Sequence, residues 1–158
     1  MSDLQTINST FYADMKGIIL NARNNAVRSV EYTRMMMYWH LGERIFVEEQ
    51  SGRDRAEYGE YLIHTLSKEL ESEFGSGFSA RQLERARKFY RLYPTVTAVR
   101  PQLNWSQYRL LIGIDDDYKR EYYELEAANH AWTGRELERQ VNSLLYERLL
   151  MSNDKDDK

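Results

Sequence analysis

The 158-residue sequence contains no cysteine and only two prolines and eight glycines. The absence of cysteine excludes disulfide bonds, thiolate nucleophiles and zinc sites built from cysteine. The shortage of proline and glycine leaves few interruptions to regular structure, which favours helix. No apolar run approaches the roughly 20 residues of a membrane span, and the N-terminal residues lack the pattern of a secretory signal. We therefore expect a cytoplasmic protein that does not associate with membranes.

The residues that are present are typical of one globular domain. Hydrophobic residues make up 42% of the chain and charged residues 30%, which is too apolar for a disordered protein. The length suits a single domain. We expect one helical domain over residues 1–151, followed by a polar tail or truncated linker over residues 152–158. The net charge of −3 means that any surface for nucleic acid must be local.

The spacing of apolar residues predicts an all-α fold with about six helices. In the first helix, apolar residues recur every three or four positions from about Asn8 to Glu49, a helical period. A helix of that length would span roughly 60 Å, so it must either bend or project from the domain. The other predicted helices cover about 56–74, 79–93, 105–113, 115–128 and 134–151. Near residues 95–100, β-branched side chains fit either a small β wing or a loop.

The predicted helix that begins at Ser79 is the most informative segment. It follows a Gly-Ser-Gly turn at residues 75–77, and two helices joined by such a turn form a helix-turn-helix. From Arg81 to Arg100 the sequence contains six basic residues and one acid. Arginine suits both guanine edges and phosphates. The predicted nucleic-acid-binding residues are Arg81, Arg85, Lys88 and Arg91 on one face, with Arg87 and Arg100 at its edge. A solvated amphipathic helix is the alternative interpretation.

No pattern in the sequence predicts catalysis. The three histidines are not spaced as metal ligands, and the acidic run at residues 115–117 suits a helix N-terminus better than a calcium loop. A two-metal nuclease needs an aspartate followed by Glu-x-Lys on a strand, and a phosphate-binding loop needs a lysine after its glycines. Neither arrangement is present. We therefore predict no catalytic residue, no metal and no cofactor.

Several phrases of the sequence together resemble one known family. They occur at residues 38–45, 56–59 with 66–70, 74–79 with 83, 87, 89 and 90, 103–108 and 132–140. They include Tyr-Trp-His-Leu-Gly-Glu-Arg-Ile, Leu-Asn-Trp-Ser-Gln-Tyr and Trp-Thr-Gly-Arg-Glu-Leu. From about Ile18 to Arg148 the chain resembles the N-terminal domain of YhcG-like bacterial proteins, a domain of unknown function. So many phrases in one order make a chance match improbable.

The resemblance implies a winged-helix-like domain that binds DNA and normally precedes a C-terminal nuclease domain of the PD-(D/E)xK type. The catalytic residues of that family belong to the second domain and match nothing here, so we expect no enzymatic activity from this chain. The expected function is to position a nuclease on double-stranded DNA. The alternative is a homo-oligomerisation or protein-interaction module without affinity for nucleic acid, in which the first helix and its cluster of methionines at residues 35–37 pair with a second copy or another partner.

Overall fold

The computed structural model describes residues 9–52 and 58–156, with side chains described as far as Ser152, and this part of the chain is all-helical. Its seven α-helices are α1 (Ser9–Ser51), α2 (Tyr58–Phe74), α3 (Ala80–Leu92), α4 (Trp105–Leu111), α5 (Asp117–Asn129), α6 (Gly134–Asn142) and α7 (Leu145–Asp156). The all-α prediction is confirmed. None of the helices described has both the length and the apolar character that crossing a membrane requires.

Capping side chains fix most of the predicted helix starts. The Ser79 side chain accepts a hydrogen bond from the Gln82 backbone N–H at 3.3 Å, so α3 begins where the sequence indicated. Asn104 and Gln107 form a reciprocal capping box at the start of α4. Such a cap supplies an acceptor to a backbone N–H that has no partner within the helix. The predicted start of the second helix, at Ala56, lies outside the described residues.

The predicted last helix, residues 134–151, is in fact two helices. α6 and α7 are separated at Leu144, whose φ of 60° lies in the left-handed region. The new direction of α7 lets the Tyr146 N–H donate to the Tyr123 hydroxyl at 3.1 Å. Leu144 and Leu149, which share the apolar face of the predicted helix, are therefore 53% and 45% exposed. Helices commonly end at a glycine with positive φ, and here the residue is a leucine, so the sequence did not predict the break.

Helix α1 is unbroken over 43 residues, but only its C-terminal part packs on the domain. Its buried residues begin at Met35. No described residue before that point is buried, and we call residues 9–34 the arm. Of the two expectations for a helix of this length, projection is therefore the one observed. Met35 and Met36 are 0% and 8% exposed, so the interpretation of the methionine cluster as a surface for a partner is wrong.

The domain core forms where α1 crosses α3 and α4. Gly42 of α1 lies so close to α3 that a Cβ atom there would be 2.0 Å from the carbonyl oxygen of Ala86. Beside this crossing, the ring of Tyr38 stacks on that of Trp105 with centroids 4.3 Å apart. The Trp39 indole donates a hydrogen bond to the carbonyl oxygen of Tyr93 at 2.7 Å. The aromatic residues of α1 thus hold α3 and α4 in fixed relative positions.

The segment between Pro94 and Pro101 is a loop rather than a β wing. It contains a 3-10 turn at Val96–Ala98, and no strand occurs in the described ranges. A strand needs a neighbouring strand to pair its backbone groups. Here the Arg100 N–H instead donates to the hydroxyl of Tyr108 at 2.7 Å. The side chain of α4 satisfies the backbone donor that a wing would have needed for pairing.

The Glu124 network is a buried polar cluster that ties this loop to α5. The Glu124 carboxylate accepts hydrogen bonds from the hydroxyls of Tyr93 and Tyr108 and from Nε of Arg100, each at 3.1 Å. Glu124 is 7% exposed. Burial, reinforced by the neighbouring carboxylate, raises the pKa of Tyr93 well above its usual value of 10. Burial also raises the pKa of Tyr108.

We expect the free energy of unfolding to be independent of these tyrosines below about pH 10 and to fall as the pH rises above that value. Tyrosines of the unfolded chain lose their protons near pH 10, whereas the folded state retains them to higher pH because of the raised pKa values. Urea unfolding measured from pH 8 to 11.5 tests this. Tyr93→Phe should have a shallower alkaline decline than the wild type, and an equal decline in both proteins would contradict the assignment.

Candidate nucleic-acid interface

Helix α3 is enclosed on three sides and open on the fourth. Leu83 packs with Ile45 of α1 and Ile63 of α2, and Phe89 lies against the rings of Trp105 and Tyr108 of α4. The apolar residues predicted opposite the basic face therefore form part of the core. The open side carries Arg81 and Arg91, both exposed, and Arg85 and Lys88, both half-buried.

An open cleft of about 340 Å³ lies between α3 and α4. It is lined by three of the predicted residues, Arg81, Arg85 and Lys88, together with Arg109 of α4. The remaining lining residues are Glu84, Ile112 and Gly113. We call Arg81, Arg85, Lys88 and Arg109 the basic cluster. Four cations thus surround one concave surface, a geometry that suits an anion.

The basic cluster holds several positive charges close together, and they repel one another. Partial burial, and then the neighbouring charges of Arg81 and Arg109, lower the pKa of Arg85. Its guanidinium has only one long hydrogen bond, to Oε1 of Gln82 at 3.5 Å. No carboxylate of the described residues forms an ion pair with Arg81, Arg85 or Arg109. A bound anion would relieve this repulsion.

Two of the predicted residues have structural partners instead. Arg87 is ion-paired with Glu49 of α1 at 2.6 Å, and Arg100 with Glu124 at 3.1 Å. Both carboxylates are largely buried, so each pair joins elements of the fold. Their assignment to nucleic acid stays a prediction, but neither side chain lines the cleft.

Lys88 and Arg91 each meet only part of the description of a free cation in the cleft. Lys88 lies 3.5 Å from the Asp115 carboxylate, which is 94% exposed, and such exposed pairs are weak. The Asp115 carboxylate therefore competes with an incoming anion only modestly. Arg91 is exposed and has no ion pair among the described side chains, but it does not line the cleft.

Arg109 and Arg135 extend the basic surface beyond α3, and the sequence reasoning missed both. Arg109 also lines a second cleft, where Arg135 of α6 meets Ser106 and Thr133. In sequence, Arg109 follows directly after the core residue Tyr108, so the α4 period predicts only that it lies at the margin of the core. Its proximity to Arg81 and Arg85 depends on how α3 and α4 pack, which no local pattern reveals.

The other side of α3 is unsuited to a polyanion. Helix α2 contains four glutamates and one lysine, and the cleft between α2 and α3 is lined by Glu60 and Glu84 without any lysine or arginine. In a helix-turn-helix, the first helix crosses the phosphate backbone. Here a polyanion would meet α3 from the side of α4. Within the described ranges, no three histidine, aspartate or glutamate residues are grouped to hold a metal.

Comparisons with known proteins agree with the sequence phrases noted above. The profile of a family described as the DUF1016 N-terminal domain matches residues 14–148. The chain is also similar to a protein of Escherichia coli (strain K12) named "Putative nuclease YhcG", with 32% identity over 170 aligned positions. The match covers 87% of this chain and 45% of that relative, so the chain spans less than half of the relative's length. No solved structure gives a significant match.

Proposed function

The chain belongs to the family of DUF1016 N-terminal domains, and from that premise we propose that it binds the phosphate backbone of double-stranded DNA through the basic cluster. In longer relatives, the domain would hold a nuclease domain against its substrate. The nuclease-holding role is supported by the name of the E. coli relative, which describes a nuclease, and by the part of that protein that lies outside the match.

The observation that carries the proposal is the convergence of Arg81, Arg85, Lys88 and Arg109 on one cleft. Three of these side chains have no carboxylate partner among the described residues. Phosphate contacts position a protein on DNA without reading its sequence. A module that only delivers a nuclease needs this kind of contact, and it needs no residue that reads bases.

Reversal of one charge in the cluster tests the proposal. We expect Arg85→Glu to weaken binding to a fluorescently labelled 20-base-pair duplex by on the order of 30-fold at 100 mM salt, because a repulsive charge replaces an attractive one beside the phosphates. Fluorescence anisotropy gives the dissociation constant. Equal affinity of Arg85→Glu and the wild type would refute the proposal.

Two further variants locate the effect. Arg44→Glu makes the same charge change at an exposed arginine of α1 that does not line the cleft, and it should change affinity by less than about threefold because solvent and salt screen an exposed charge. Asp115→Asn removes the acid beside Lys88, and it should strengthen binding by roughly twofold to fivefold. Arg109→Gln should reduce the slope of log affinity against log salt by about 1, the loss of a single phosphate contact.

A further inference from the structure

The arm is the largest exposed apolar feature of the described chain. Of the nineteen exposed large apolar side chains, nine lie in the arm. Seven positions at helical spacing form what we call the arm stripe: Phe11, Met15, Ile18, Ala22, Ala26, Ser29 and Thr33. At 100° per residue, none of the six charged residues of the arm falls within this stripe. Three of the nine exposed apolar residues, Phe11, Met15 and Ile18, lie in this stripe, and an exposed apolar surface marks a site of association.

The arm stripe does not face the domain that the helix belongs to. At 3.6 residues per turn, it is centred about 130° around the helix from the side that buries Met35, Trp39 and Gly42. The two faces of α1 therefore point to different sides of the helix. All seven residues of the arm stripe are exposed, and within the described residues no other helix covers them. A second molecule can therefore pack against this face.

We propose that the arm stripe pairs with the arm stripe of a second copy of this chain, in an antiparallel arrangement centred near Ala22. The sizes of the side chains favour this orientation. The first half of the stripe carries large residues, Phe11, Met15 and Ile18, and the second half carries the small residues Ala26, Ser29 and Thr33. Antiparallel pairing sets large against small along the whole length, which keeps the two helices evenly spaced.

The charges of the arm favour the same orientation. Asp14 and Lys16 cancel in its first half, whereas its second half carries Arg23, Arg28 and Arg34 against a single acid. Parallel helices would place the two positive halves side by side. Antiparallel helices place each positive half beside a neutral one, which avoids the repulsion between like charges.

The arm is large enough for a stable pair. It is roughly 39 Å long at 1.5 Å per residue. Its large apolar residues bury on the order of 100 Å² each when a second helix covers them. Phe11, Met15 and Ile18 of the arm stripe, with Tyr12 and Ile19 at its edge, are five such exposed residues on each copy. On two copies they give an interface on the order of 1,000 Å², before the small residues are counted, and specific interfaces begin near this size.

The mass of the full chain in solution tests the pairing. We expect sedimentation equilibrium at about 50 μM, well above a micromolar dissociation constant, to give twice the chain mass of 18.9 kDa. Ala22→Glu places a charge at the centre of the stripe and should raise the dissociation constant at least about 100-fold. Ala13→Glu makes the same change on the opposite side of the arm and should leave the dimer intact. A monomeric wild type, or a dimeric Ala22→Glu variant, would overturn the proposal.

Disulfide trapping tests the orientation, because the chain has no cysteine of its own. A chain with Met15→Cys is mixed with a chain with Ser29→Cys and oxidised. Antiparallel pairing should give mainly the mixed disulfide between the two variants. Preferential linkage of each variant to itself would refute the antiparallel arrangement. Circular dichroism checks that Ala22→Glu and Ala13→Glu remain folded. We expect that both do, because alanine and glutamate both favour helix.

Discussion

Replacement of Gly42 by alanine is expected to lower the free energy of unfolding by about 3 kcal/mol. A Cβ atom at this position would lie 2.0 Å from the carbonyl oxygen and 2.6 Å from the carbonyl carbon of Ala86. Both are backbone atoms, so no side chain can rotate away and the two helices must separate. Overpacking in a core costs typically about 1–3 kcal/mol, and here the crossing of α1 and α3 has to shift as well.

The same substitution elsewhere in α1 provides the control. At Gly17, a Cβ atom would meet no other atom within 4 Å. Because alanine favours helix more than glycine does, Gly17→Ala should stabilise the protein by roughly 0.5–1 kcal/mol. Urea unfolding of the two variants should thus give changes of opposite sign. If Gly42→Ala proved as stable as the wild type, the close crossing of α1 and α3 would be wrong.

Truncation of Glu124 to alanine should also cost about 3 kcal/mol. The carboxylate accepts hydrogen bonds from two tyrosine hydroxyls and from Arg100. Its removal leaves the hydroxyls of Tyr93 and Tyr108 without this acceptor inside the core, and each such group costs about 1–3 kcal/mol. The Arg100 side chain is 40% exposed, so water can solvate it and its contribution is smaller.

An exposed glutamate on the same helix gives the matched comparison. Glu121→Ala changes an exposed side chain, and it should alter the free energy of unfolding by less than about 0.5 kcal/mol. A double-mutant cycle between Glu124→Ala and Tyr93→Phe should show coupling above about 0.5 kcal/mol. Additive effects, or equal losses for Glu121→Ala and Glu124→Ala, would mean that the network contributes little to stability.

Local sequence signals determined much of the fold. The helices predicted to begin at residues 79 and 134 do begin there, capped by Ser79 and Thr133. The signals were insufficient where the outcome depends on packing. The break at Leu144 uses a residue type that rarely adopts positive φ, and it accompanies the hydrogen bond from the Tyr146 N–H to the hydroxyl of Tyr123. The β-branched residues near Val96 were compatible with a strand or a loop. In the loop that forms, the Arg100 N–H donates to the hydroxyl of Tyr108 of α4, a contact between elements that local sequence does not predict.

The candidate site likewise combines features that local sequence predicts with features that depend on packing. The periodicity of α3 was sufficient to place Arg81, Arg85 and Lys88 on one face, since these residues lie on one helix. It could not reveal that Arg87 is ion-paired with Glu49, which is 38 residues distant in sequence. Nor could it bring Arg109 into the cleft, because that depends on the packing of α3 against α4. Contacts within a helix follow from spacing, whereas contacts between helices require the tertiary structure.

Because α1 is one unbroken helix, the number of residues in it determines the direction in which the arm faces relative to the domain. Each residue inserted between Ala26 and Met35 would turn the arm by 100° relative to the domain and advance it by 1.5 Å. Two inserted residues would swing the apolar stripe towards the opposite side, whereas seven, nearly two full turns, would restore its direction. Chains of this architecture can therefore lengthen or shorten this helix only in near-whole turns if the tip is to keep its phase with the arginine-lined cleft.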